Sequence, residues 1–563
     1  MKKFILALLL PMQIFGANGI LVVSNTNDSG AGSFRQAITD ANSDPLVPHI
    51  IQFSIGTGVQ TIQPLTALPA ITAPYTMIDG TTQSGWSAGN PVIVLDGSQL
   101  TAFTINGLTF SGTHHCLVRG LVINGGFDNG ILIIDDGTNV SSNNSVTGCF
   151  IGTNQTGTSV SANNNGIAIT GSTNLNNIFN KIGGDTTEER NIISGNENSG
   201  ILLQTNTNFT IIRNNYIGTD INGTSAIPNL DGVTVVGSLT PVAEEQSFGN
   251  VIFLNLISGN TQTGVRLNAN TNQNLLQANS IGVDSTGILA LPNEIGILTQ
   301  GVVPPDPENP TNGAVNNTII GSLNVIAGNS SHGIALTDNT LGSSVGCSFI
   351  GTDLNNTVTT LGNGGHGILI QGTTDAPCIN NTLGNPFGDG ANVIAYNGTD
   401  TTGYGIVIMG DATTPDVLNT ILANSIFNNV SDGVALFNNS NNLQSAPTII
   451  NAILNNDGNA LTVGVTAPST PADSMFRIEF FVNDTDRSPI TEGQLSIGFI
   501  EPIPSGATVA QLFPLSSPIV SNIWVSAIAT NFNGSPFLGD SSPHTSNVQM
   551  VTLANNIPAI MFQ

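Results

Sequence analysis

The sequence predicts an all-β chain: a right-handed parallel β-helix of about ten coils, each about 34 residues long, with an N-terminal cap and a C-terminal antiparallel β-sandwich. Three observations carry that expectation. A phrase of Gly followed by alternating aliphatic residues recurs ten times, at Gly130, Gly166, Gly200, Gly232, Gly264, Gly296, Gly333, Gly367, Gly405 and Gly433. Charged residues make up only 8% of the chain, yet apolar residues reach 39%, so there is enough Ile, Val and Leu to bury a core. The apolar residues alternate in short runs bounded by Gly and Asn, which is a strand pattern, and no 3.6-residue period persists.

The elements follow in chain order. Residues 1–17 read as a signal peptide, with Met1-Lys2-Lys3, an apolar run from Phe4 to Leu10, and small residues at Gly16-Ala17. The run is too short to span a membrane, and no later stretch reads as a transmembrane helix. Secretion, or display on a bacterial cell surface, is the expectation. Residues 18–110 read as a cap containing a short amphipathic helix. Ser33 can cap that helix, and Phe34, Ala37, Ile38 and Ala41 fall on one face. Irregular strands follow, over 50–53 and 92–95. A cap is needed because the terminal coil of a solenoid exposes unpaired strand edges.

Residues 111–443 form the coils. From Gly130 to Gly433 is 303 residues over nine intervals, which sets the period. A second phrase lies between the Gly phrases, and it comes in two forms. One is Ile-Gly, at Ile151, Ile217, Ile281 and Ile350, spaced 66, 64 and 69 residues apart. The other is Ile193-Ser194-Gly195-Asn196 or Ile326-Ala327-Gly328-Asn329. Two coil types therefore alternate. Stacked about 4.8 Å apart, the coils would bury columns of aliphatic residues. Asn at repeated turns would form hydrogen-bonded ladders. Loops over 220–230 and 301–313 project outward. Residues 444–553 carry longer alternating strands, such as 476–482 and 523–529, and read as a sandwich; 554–563 are a tail.

The segments Val22 to Ile38, Ile78 to Gly85 and Val118 to Gly125, the coil phrases, and Phe476 to Phe481 with Glu492-Gly493-Gln494 together resemble a known group. They are similar to secreted bacterial parallel-β-helix repeat proteins of the pectin-lyase-like superfamily, over nearly the whole mature chain. The resemblance implies a fold, export and a surface setting. It implies no activity, because a fold does not supply one.

The formal net charge of −26, with no basic patch, excludes nucleic acid as a partner. Uronate lyases on this fold need a base and cations for the uronate carboxylate. After the signal only Lys181 remains among the lysines, and Arg119, Arg190, Arg213 and Arg266 do not cluster in the sequence pattern. Hydrolases need paired carboxylates. Asp135 and Asp136 are adjacent, and neighbours on a strand point to opposite faces. Gly365-His366-Gly367 matches a hydrolase phrase whose companion motifs are missing.

The residue before each repeated Gly runs Asn129, Asn165, Ser199, Asp231, Thr263, Ile295, His332, His366, Tyr404, Asp432. Stacking would align His332 and His366, the candidate catalytic groups, with Tyr404 and Asp432, the candidate ligand contacts. That stripe reads as a sugar or metal site, or as turn-compatible residues along a solvated edge. Asp220, Asp284 and Asp353 form a second column, one per alternate coil. Each reads as a calcium ligand or as a turn former; no other cofactor is implied. Cys116 and Cys149, and Cys347 and Cys378, are spaced near one coil but out of register, so buried free thiols are expected over disulfides. The leading reading is a secreted or surface-exposed, non-enzymatic binding scaffold with polysaccharide or cell-surface glycans as partners. A polysaccharide hydrolase or lyase comes second, and a purely structural surface-layer component third.

Overall fold

The computed structural model describes residues 19–553 apart from 173–174, 239–245, 304–312, 317, 386–389, 400–401, 412, 456, 485–488, 516–522, 533–538 and 546–548. The expected signal peptide and C-terminal tail lie outside the described residues, as does most of the 301–313 loop. The chain winds as a right-handed parallel β-helix with three long parallel sheets of 13, 12 and 11 strands. One coil shows the plan. Strand Ile211–Arg213 lies in the first sheet, Tyr216–Ile217 in the second and Asp231–Val236 in the third. The next coil repeats each in register, pairing Ile212 with Ile252, Ile217 with Ile257 and Val233 with Val265. These side chains point inward and are wholly buried, giving the aliphatic columns the alternation predicts.

The stack is longer than the repeat count suggested. Ile20–Val23, Ile50–Phe53 and Met77–Asp79 are in register with one another and run into the first sheet, while Gln60–Ile62 and Ile93–Asp96 open the second. Segments expected to be irregular cap strands are therefore regular coils. The first two of them lack third-sheet strands, so the Gly phrase does not mark them. The third sheet holds an eleventh copy, Leu108–Ser111 after Gly107. The helix, Phe34–Ser43, forms as expected: Ser33 Oγ accepts the Gln36 N–H at 3.2 Å, and Phe34, Ala37, Ile38 and Ala41 are buried. Phe34 packs on Phe53 at the N-terminal end of the core.

The repeated Gly answers to close approach between coils. A Cβ on Gly200 would lie 2.7 Å from the Gly232 carbonyl oxygen and 3.0 Å from Ile217 Cγ2. Two coil types do alternate. In the Ile-Gly coils the chain makes an outward loop closed by the bridges Thr153–Val160, Thr219–Ala226 and Val283–Ala290. Loops two coils apart touch: the Ile221 N–H donates to the Gly157 carbonyl at 3.0 Å, and that of Ser285 to Gly223 at 2.8 Å.

A buried asparagine ladder runs beneath the corner into the third sheet. Asn196 Nδ2 donates to Asn229 Oδ1 at 2.8 Å, Asn229 to Asn260 at 3.0 Å, Asn260 to Asn293 at 2.9 Å and Asn293 to Asn329 at 3.1 Å. The series continues through Asn363 and Asn397 to Asn429.

The C-terminal unit is antiparallel apart from one parallel pair, and its core contains Phe476, Ile478, Phe480, Val525 and Ala527. It fits a sandwich, and it closes the solenoid. The last coil's backbone is taken up by it: Ile426 exchanges bonds with Gly493, Gly433 N–H donates to Thr491 at 2.7 Å, and Ala423 N–H to Glu479 Oε2 at 2.7 Å. Phe481 and Ile528 enter the solenoid core itself.

Candidate ligand-binding face

The third sheet brings His332, His366 and Tyr404 into one column. The register that pairs Ile334 with Ile368 and Ile368 with Ile406 aligns the residues two places earlier. The imidazoles stack at 5.0 Å and 22°, and His366 meets Tyr404 at 5.6 Å and 54°. Their positions follow a rule of the column. The Ser199 N–H donates to Asn165 Oδ1 at 3.2 Å and the Thr263 N–H to Asp231 Oδ1 at 3.0 Å. In the same way the His366 N–H donates to His332 Nδ1 at 3.0 Å and the Tyr404 N–H to His366 Nδ1 at 3.4 Å. A side-chain acceptor on one coil takes an amide of the next, and an imidazole nitrogen does here what a carbonyl or carboxylate oxygen does elsewhere.

This fixes the chemistry of both rings. A nitrogen that accepts from a backbone N–H carries no proton, so the neutral ring's proton sits on Nε2. Burial lowers both imidazoles below their ordinary pKa, and for His332 the neighbouring His366 adds to this, bringing it down to about 4. At neutral pH both imidazoles are uncharged. Beside the column runs a strip of outward-turned but buried aliphatic side chains, Leu298, Ala335, Leu369, Val407 and Ala435, none more than 9% exposed, and beyond that a line containing Gln300, Thr337 and Gln371. Asp432, the next residue in the column, is drawn away from this surface. Its Oδ1 accepts the Thr491 N–H at 2.8 Å and the Thr491 hydroxyl at 3.1 Å.

The acidic column closes loops. Asp220 Oδ1 accepts the Thr224 and Ser225 N–H groups at 2.8 and 3.0 Å. Asp284 Oδ1 accepts the Leu289 N–H at 3.2 Å and the Thr286 hydroxyl at 2.7 Å. Asp353 takes the Thr357 and Val358 N–H groups, both at 2.6 Å. Calcium requires six to eight oxygens in one place. Each of these is a single carboxylate turned toward N–H and hydroxyl donors of its own loop. Among the described residues no three His, Cys, Asp or Glu converge on a common point.

Arg266 points outward between the buried Val265 and Leu267 and is held by Asp231 at 2.8 and 3.1 Å. Asp135 and Asp136 each close a local turn, accepting the Gly137 and Thr138 N–H groups. Cys116, Cys149 and Cys378 are buried, unbridged thiols, and burial raises all three, to about 11 for Cys116 and about 12 for Cys149. Cys347 departs from the expectation of burial, being only partly covered.

One feature escaped the sequence. A cleft of about 210 Å³ gathers Trp86, Phe150, Arg190, Ile192 and Ile221 from four distant segments. No repeat phrase marks it; an isolated Trp in a chain with two was the only hint.

No family model matches the chain, and no curated protein matches it. Solved structures share its coil architecture. PfbA, a surface adhesin of Streptococcus pneumoniae, is 11% identical, covering 79% of this chain and 96% of that one with a TM-score of 0.41. The A-module of the Azotobacter vinelandii mannuronan C-5 epimerase AlgE6 is 12% identical, covering 73% and 97%, with a TM-score of 0.35. Pectate lyase Pel9A is 14% identical, covering 69% and 79%, with a TM-score of 0.30. Likeness at this level extends to neither substrate nor site.

Proposed function

We propose that the protein is a secreted or surface-displayed binding scaffold whose ligand is a glycan, held on the outer face of the third sheet around His332, His366 and Tyr404. One observation carries the reading: both imidazoles commit Nδ1 to the amide of the next coil. They therefore offer neutral Nε2–H donors, beside the Tyr404 ring and the exposed amides of Gln300 and Gln371. A sugar ring has an apolar face and a rim of hydroxyls, and this surface complements both. The same commitment argues against the enzymatic alternative. A general base needs an unprotonated nitrogen facing its substrate, and a hydrolase needs a carboxylate pair. Of the column's carboxylates, Asp432 is engaged with Thr491 and Asp231 with Arg266. The N-terminal sequence supports export.

The test is titration calorimetry against a panel of neutral and uronate oligosaccharides, run beside an assay for new reducing or unsaturated ends. Saturable binding that is lost in Tyr404→Ala, with no ends released, is the expected result. Ends released by the unaltered protein and lost in His332→Ala or His366→Ala would overturn it.

A further inference from the structure

We propose a second ligand site, at the corner between the first and second sheets, which holds a carboxylate-bearing ligand between Trp86 and Arg190. The registers place Gly120, Gly148, Arg190, Asn214 and Leu254 in the same corner position on successive coils. The two consecutive glycines let their neighbours close in: a Cβ at Gly120 would lie 3.1 Å from Trp86 Nε1. A Cβ at Gly148 would come within 2.6 Å of the Glu188 carbonyl oxygen, so that corner tolerates no side chain. Arg190 is the next residue along. Phe150, Ile192 and Ile221 give the cleft apolar walls, and Trp86 faces it from the 80–91 segment.

Arg190 is held in place without being neutralised. Its guanidinium lies 4.1 Å over the Tyr216 ring, Nη2 donates to Asn214 Oδ1 at 3.1 Å, and the buried Nε has no acceptor. Arg35, Arg119, Arg213, Arg266 and Arg477 each pair with a carboxylate. Among the described arginines, Arg190 alone lacks one, in a chain of net charge −26. A stacked, oriented guanidinium with open donors matches a carboxylate, and the indole and aliphatic walls match a flat apolar body. The cleft is smaller than the roughly 300–1,000 Å³ of drug-sized pockets, so it suits a single ring. Glu188, on the exposed rim, suits a hydroxyl of the ligand better than a second negative charge.

The body of the ligand has two chemical sources, an aromatic acid or a sugar acid. The probes are benzoate and D-glucuronate, with benzyl alcohol and D-glucose as neutral counterparts. The chain has two tryptophans, so in a Trp524→Phe background fluorescence reports Trp86; calorimetry on the unaltered chain repeats the titration without that change. Saturable binding of at least one carboxylate, with none of its neutral counterpart, is expected. Arg190→Gln should weaken it about ten-fold or more while leaving circular dichroism unchanged, Arg190→Lys should retain part of it, and Tyr404→Ala should leave it intact, which separates this site from the face around His366. No saturable response to either carboxylate, equal binding of the neutral compounds, or full affinity in Arg190→Gln would each sink the proposal.

Discussion

Glu492 accepts the backbone N–H of Asn429 at 3.1 Å, through a side-chain oxygen. Asn196, Asn260, Asn329, Asn363 and Asn397 give the same bond to the next rung; Asn397 N–H, for example, donates to Asn429 Oδ1 at 3.1 Å. The C-terminal unit thus ends the ladder by imitating its next rung. Glu492→Ala removes an acceptor from a buried amide and should cost about 1–3 kcal/mol, whereas Glu492→Gln keeps the acceptor and should cost less. Hydrogen exchange at Asn429 checks this: exchange should accelerate in the alanine variant and stay slow in the glutamine variant.

The ladder interior should be more sensitive than its surface neighbours. Asn260 accepts from Asn229 and donates to Asn293, and it is almost fully buried. Asn260→Ala leaves two buried amides short of a partner. Chemical denaturation should show a loss of about 2–5 kcal/mol, provided that both vacated partners go unsatisfied. A loss below about 1 kcal/mol would mean that the coils relax to close the gap.

Structural and binding roles can be separated at His332. His332→Asn supplies an oxygen acceptor for the His366 N–H, as Asn165 does for Ser199. Stability should be kept while glycan binding falls, because the ring is gone. His332→Ala should lose both. Equal glycan affinity in His332→Asn and the unaltered protein would remove the imidazole from the binding face.

Much of this was legible in the sequence. The glycine period marked the third sheet because a coil-to-coil gap of that size admits no Cβ, and the recurrent asparagines marked the ladder. Ser33 and the face of Phe34, Ala37, Ile38 and Ala41 marked the one α-helix among the described residues. The first two coils stayed hidden because they lack third-sheet strands. Corners were hidden too: Phe179, Leu254 and Leu323 adopt left-handed φ values of 58°, 57° and 63°, where Gly or Asn would be expected. The column position of Asp432 was readable, but its bond to Thr491 depends on how the C-terminal unit docks. The cleft at Arg190 needed contacts between segments about 100 residues apart.

Acid should loosen the C-terminal unit. His544 lies buried against Phe481, with neither ring nitrogen hydrogen-bonded, and burial lowers its pKa to about 3. Unfolded, the ring takes a proton near pH 6.5; folded, it does not until about pH 3. The unfolded state therefore binds more protons in that window. Stability is full above about pH 6.5 and is lost as pH falls, by about 1.4 kcal/mol per unit for such a group. His332 adds a smaller total loss, over the narrower window down to about pH 4. Thermal midpoints measured from pH 7 to pH 4 should fall less in His544→Leu than in the unaltered chain; parallel curves would rule out His544 as a source of the slope.

The contact between loops two coils apart sets the step in which this rod can change length. Ile221 reaches back to Gly157, and Ser285 to Gly223, each across an intervening plain coil. Duplicating or deleting a pair, 64 to 69 residues by the spacing of the Ile-Gly phrases, restores the seam. A single coil would set a loop against a bare turn and leave both unsupported. Gene-level expansion of this solenoid is thus quantised in pairs, each adding about 9.6 Å of reach. A ruler with that graduation can vary its span among descendants without redesigning either end.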